Sequence, residues 1–132
     1  MGLDLRASGY PSEELHIGYI GFGILRCQIA KSYNQELGEI YEKPYKGFGY
    51  TYSESEIDRY NQLCDDDLDL LLNHSDCEGK LTYSECRKIS IALNKFEFKY
   101  PDEWRQDYKR KFYVLKDMID WCSKNRKTLW FR

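Results

Sequence analysis

Two rhythms divide this chain. Leu3, Leu5 and Ala7 alternate with Asp4, Arg6 and Ser8 until Gly9-Tyr10-Pro11 breaks the pattern, a period of two that predicts a strand over residues 2–8. Thr128-Leu129-Trp130-Phe131 is a second short β-favouring run, set off by the polar Ser123-Lys124-Asn125-Arg126-Lys127. The two ends of the chain are therefore expected to pair in a small sheet. Between them the period changes to that of a helix. Phe22, Leu25, Ile29 and Tyr33 predict a helix over 21–37, with Gly38 as its C-terminal cap. Ser53 and Glu56 have the spacing of a capping box, followed by Ile57, Tyr60 and Cys64, and Leu68, Leu71 and Leu72 continue an apolar face. Cys86, Ile89, Leu93 and Phe96 form another stripe. The last helix, started by Pro101 and Asp102, carries Trp104, Tyr108, Phe112, Leu115, Ile119 and Cys122 along one side. Residues 39–52, with Pro44, Gly47, Gly49 and the tyrosines 41, 45, 50 and 52, have the composition of a long loop; loops of that length are usually functional or disordered, and the aromatics favour the functional reading. The fold class is α+β: a mostly helical single domain over 1–132, with a small terminal β-sheet and a degenerate EF-hand-like helix-loop-helix.

That last element lies at His74-Ser75-Asp76-Cys77-Glu78-Gly79-Lys80-Leu81-Thr82-Tyr83-Ser84-Glu85. A calcium loop needs oxygen ligands at its first, third, fifth and twelfth positions and a glycine at its sixth. Asp76, Glu78, Gly79 and Glu85 meet four of these requirements, but His74 stands where the anchoring carboxylate belongs. With the Lys80 carbonyl, Asp76, Glu78 and Glu85 would give a hard cation a thin shell. A purely structural loop needs only that Gly79 permit the turn, Asp76 accept backbone amides and Leu81 pin the segment to the core.

A second candidate is the segment His16-Ile17-Gly18-Tyr19-Ile20-Gly21-Phe22-Gly23, which runs into a helix start where free amides could hold an anion beside His16, Tyr19 and Arg26. Its glycine order is the reverse of the dinucleotide fingerprint and no βαβ unit surrounds it, so no cofactor is implied. His16 and His74 are far apart and neither adjoins a recognisable nucleophile motif, so an enzyme is the less favoured class. The cysteine and histidine spacings match no zinc finger or ribbon.

Composition alters this picture in three ways. Twelve Tyr, six Phe and three Trp exceed what a small core absorbs and imply exposed aromatic surface. Twenty basic and 22 acidic residues leave a net charge of −2, which gives no field to attract a nucleic-acid backbone. Arg105, Lys109, Arg110, Lys111 and Lys116 are interleaved with Asp102, Glu103, Asp107, Asp117 and Asp120, the pattern of a solvated helix face. Five cysteines without CxxC spacing, and no leader-like start, point to a reducing cytoplasm, and no apolar run is long enough for a membrane span.

Met1-Gly2-Leu3-Asp4, Gly18-Tyr19-Ile20-Gly21-Phe22 with Arg26 and Ile29-Ala30, and Asn73-His74-Ser75-Asp76-Cys77-Glu78-Gly79 before a helix together resemble a family of small proteins from bacteriophages, prophages and bacterial genomes. The family has no assigned activity. The resemblance implies provenance, and it favours a structural loop at 74–85 over a calcium site. The leading expectation is a non-catalytic phage-type accessory protein, of counter-defence use, that sequesters a nucleotide-like anion or blocks a host protein. Its ligand residues would be His16, Gly18, Tyr19, Gly21, Arg26, Tyr45 and Tyr50. A calcium module on Asp76, Glu78 and Glu85, or a small phosphoester enzyme using His16, are the alternatives. The aromatic surplus also leaves room for a homodimer.

Overall fold

The computed structural model describes residues 2–47, 49–101 and 106–132. Among these, four strands form one antiparallel sheet in the order β2-β1-β4-β3, with β1 at Gly2–Arg6, β2 at His16–Gly18, β3 at Gly79–Leu81 and β4 at Leu129–Phe131. The expected pairing of the chain ends is present: Leu5 lies opposite Phe131 and Arg6 opposite Trp130. β2 and β3 extend the sheet on either side. Three-residue strands carry too little alternation to announce themselves, so one was masked by the glycine turn and the other by the calcium-loop pattern.

The pleat sends Leu3, Leu5, Ile17, Leu81, Leu129 and Phe131 into the interior, each 5% exposed or less. There they meet the apolar faces of α1 (Tyr19–Tyr33), α4 (Asp66–Leu72), α5 (Tyr83–Leu93) and α6 (Gln106–Asn125). Phe22 of α1 meets Phe131 of β4 edge-on, 6.2 Å between ring centres. The expected stripe on α6 is buried at Phe112, Leu115, Ile119 and Cys122. The start proposed at Pro101 and Asp102, with Trp104 as first stripe residue, involves residues 102–105, outside the described residues.

The segment read as a long loop is largely helix. α2 spans Gln35–Lys46 and packs against α1, whose own helix runs from Tyr19 to Tyr33 rather than from 21 to 37. Asn34 ends one helix and begins the next by accepting the Leu37 amide on its side chain, at 3.0 Å. Gly38 is therefore no C-terminal cap. It sits inside α2, where a Cβ would lie 2.2 Å from Lys31 Cγ and 2.5 Å from Lys31 Cα, so its missing side chain lets two helices touch. Pro44 is tolerated because it falls near the end of α2, where its missing N–H removes a single ladder bond. α3 (Glu54–Leu63) follows, begun by the expected capping box of Ser53 and Glu56.

The helix-loop-helix of α4, residues 73–82 and α5 keeps the expected course. Gly79 has φ +104°, a conformation that L side chains avoid, and Leu81 is 1% exposed. The turn is held by Ser75 rather than Asp76: the Ser75 hydroxyl accepts the amides of Cys77 at 3.3 Å and Glu78 at 3.4 Å.

Candidate functional site

The proposed ligand residues do not converge. His16 stands on β2 with Nδ1 2.6 Å from Asp4 Oδ1, an exposed pair directly across two strands. It lines a cavity of about 220 Å³ with Arg110 and Lys111, in which no Ser or Cys among the described residues is a lining residue. Gly18 is the N-terminal cap of α1 and supplies no side chain to it. Tyr19 packs partly buried against the core, and a Cβ on Gly21 would press on Ile17 at 3.2 Å. Tyr45, 53% exposed, packs against Gly23, where a Cβ would come within 2.6 Å of its ring. Tyr50 donates its hydroxyl to the Glu56 carboxylate at 2.6 Å.

Arg26 departs furthest from expectation. It is 5% exposed, stacks on Phe22 at 4.5 Å, and donates from one guanidinium nitrogen to the carbonyls of Leu71 (3.4 Å), Leu72 (3.2 Å) and His74 (2.6 Å). These carbonyls lie at and just beyond the C-terminal end of α4, where the helix dipole favours a cation. Arg26 thus anchors α4 to α1 from inside, and no phosphate at the 18–23 turn can share it. Arg26 Nε is buried without a partner among the described residues.

The metal candidates are likewise occupied elsewhere. Glu85 closes a capping box on α5, its Oε1 accepting the Thr82 amide at 3.0 Å and the Thr82 hydroxyl at 3.1 Å. His74 Nε2 lies 3.0 Å from the Lys80 carbonyl oxygen, the backbone group a calcium ion would take at that loop position, and its ring packs at a tilt against Phe131, 3.9 Å between ring centres. An imidazole therefore bridges the loop in place of an ion. Asp76 and Glu78 do not join Glu85, and no group of three His, Cys, Asp or Glu among the described residues could hold a metal.

What the sequence suggested as a tyrosine loop becomes the wall of a cleft. α2, α3 and α4 enclose about 230 Å³ lined by Tyr41, Tyr52, Tyr60, Glu56, Asp69 and Asn73, with Ile40, Ile57 and Asn61 completing it. Each phenol is fixed by its hydroxyl: Tyr41 donates to the Leu72 carbonyl at 2.8 Å, Tyr52 to the Tyr41 carbonyl at 3.0 Å, and Tyr60 to Asp69 Oδ1 at 2.7 Å. Burial raises the pKa of all three, that of Tyr52 to about 12, so at neutral pH they remain hydrogen-bond donors and not bases. Lys43 beside Glu56, together with the Ser53 amide and Tyr50, holds the Glu56 carboxyl down to about 2. The Asn73 amide also donates to Asp69 Oδ1, and Asp69 enters no ion pair among the described residues. Among the described residues no Lys, Arg or His lines the cleft.

Tyr60 and Asp69 were missed by sequence reasoning. Their pairing, nine residues apart across the break at Cys64-Asp65, depends on the angle between α3 and α4, which no local pattern encodes.

The basic residues of α6 behave as a solvated face, with Arg110 paired to Glu13 at 2.6 Å and Asp107 at 3.1 Å, and Lys116 paired to Asp120 at 3.1 Å. No helix among the described residues is long and apolar enough to cross a membrane. No family model matches the chain, and neither a curated protein nor a solved structure matches it.

Proposed function

We propose that this α+β protein is a non-catalytic binding protein whose recognition element is the cleft between α2, α3 and α4, and that the cleft receives a Lys or Arg side chain of a partner protein. The observation that carries the reading is Asp69, a carboxylate in no ion pair among the described residues, set in a tyrosine-walled cleft that also holds the Lys43-paired Glu56. Aromatic faces and carboxylates together suit a cation, which gains from both the ring quadrupole and charge-assisted hydrogen bonds. Size supports the same occupant. At about 230 Å³ the cleft is smaller than most pockets for drug-sized molecules and matches one long side chain.

A nucleotide phosphate suits it poorly, because the lining offers Asp69 and the Lys43-paired Glu56, and no cation among the described residues. Within the accessory-protein setting that the sequence resemblance implies, the blocking of a host protein is therefore preferred to the trapping of a nucleotide-like anion. Calorimetric titration with an octapeptide containing three arginines, against the same peptide with citrulline in their place, tests this. Citrulline keeps the shape and removes the charge. The arginine peptide is expected to bind and the citrulline peptide to bind at least tenfold more weakly, with Asp69→Asn losing a similar factor. Equal affinity for the two peptides would end the proposal.

A further inference from the structure

The outer face of the sheet is a second surface with chemistry of its own. The alternation that buries Leu5, Leu81, Leu129 and Phe131 turns Arg6, Lys80 and Trp130 outward. The register then sets them in one row: Arg6 on β1 lies opposite Trp130 on β4, and Trp130 lies opposite Lys80 on β3. Arg132, two residues beyond Trp130 on the same side, brings a third cation. Lys80 Nζ lies 5.5 Å and Arg132 Cζ 5.6 Å from the Trp130 ring centre. Trp130 is 39% exposed, and all three cations are solvent-exposed.

These charges are largely available. Lys80 and Arg132 enter no ion pair among the described residues, and Arg6 reaches only Asp4, at 3.9 Å. Asp4 is the one acidic side chain among the strand positions of this face, and it is already engaged by His16 at 2.6 Å. Trp130 thus presents part of a large ring to solvent on a sheet face, flanked by Lys80 and Arg132.

We infer that this face binds single-stranded nucleic acid, with an unpaired base stacked on Trp130 and backbone phosphates held by Arg6, Lys80 and Arg132. Charge complementarity selects the occupant: two cations within 5.6 Å of one ring, and a third opposite it in register, match the alternation of flat base and anionic phosphate along a single strand. The net charge of −2 does not oppose this, since it describes the far field and these contacts are local. A duplex fits less well because its bases are already stacked on one another. The surface is separate from the tyrosine cleft, with which it shares no residue.

Fluorescence anisotropy with labelled twelve-nucleotide oligo-dT and oligo-U provides the test. Binding should weaken roughly 20-fold between 50 and 200 mM salt, the value for about three phosphates on a single strand. Trp130→Ala should lose at least tenfold and Trp130→Tyr should keep most of the affinity, since a smaller ring still stacks. The double variant Lys80→Ala with Arg132→Ala should flatten the salt dependence while leaving the circular dichroism unchanged. A duplex of equal length should bind several-fold more weakly. No binding of either oligonucleotide at 50 mM salt, full affinity in Trp130→Ala, or tighter binding of a polyglutamate peptide than of the oligonucleotides would each overturn the inference.

Discussion

α3 and α5 begin alike and end up with different roles. Each opens on a complete capping box, Ser53 with Glu56 and Thr82 with Glu85. α5 then buries Cys86, Ile89, Ala92 and Leu93 in the core, whereas α3 buries no residue fully. The same local signal starts both helices, and tertiary burial decides which of them the fold depends on. α3 is held instead by side-chain hydrogen bonds and ion pairs: Tyr50 and Lys43 to Glu56, Tyr60 to Asp69, and Arg59 to Glu36. A helix fixed in this way contributes little to core stability but gives the tyrosine cleft a defined wall. The comparison separates a structural layer from a recognition layer within one chain.

The strongest way to break it is at the core. Ile89→Ala should cost about 3 kcal/mol in a denaturation titration, the usual range for an aliphatic truncation with a residual cavity. Arg26→Ala should cost a similar amount, about 3 kcal/mol, because it releases the last turn of α4 and leaves three carbonyls with weaker partners. A fully stable Arg26→Ala protein would contradict its placement as an internal anchor. Gly38→Ala should cost about 2 kcal/mol, since the added methyl meets Lys31 backbone that cannot rotate away. On the recognition side, Ile57→Ala should change stability by less than about 0.5 kcal/mol, given a side chain that is 48% exposed.

Acid sharpens the contrast. The folded Glu56 carboxyl titrates near 2, below its ordinary 4.5. A depressed carboxylate contributes stability that is fully present above the unfolded value and is lost as pH falls through the folded one. Stability followed from pH 5 to pH 2 should therefore decline more steeply in the native protein than in Glu56→Gln. Parallel curves would show that the Lys43 and Tyr50 contacts do not hold in solution.

Much of the structural layer was legible in the sequence, because burial leaves a period. The alternation at Leu3 and Leu5 and the short run at Leu129 to Phe131 announced the central strand pair, and the capping box of Ser53 with Glu56 marked the start of α3, whereas that of Thr82 with Glu85 was hidden by the calcium-loop pattern. α2 was illegible because Gly38, Pro44 and Gly47 are loop residues by habit, and the close approach that makes Gly38 useful exists only once α1 is in place. Arg26 misled for a related reason: a cation beside a glycine turn looks free until α4 delivers its carbonyls from 45 residues away. The recognition layer was half visible. The tyrosine run marked the region, but the cleft depends on Asp69 and Tyr60, which meet through helix geometry and not through spacing.

The most direct test of the account is amide hydrogen exchange on the native chain with and without the arginine octapeptide. Protection confined to residues 40–73, with the strands at 79–81 and 129–131 unchanged, is the predicted result. Protection at the strands with none at 40–73 would contradict the assignment of the cleft as the protein-binding site.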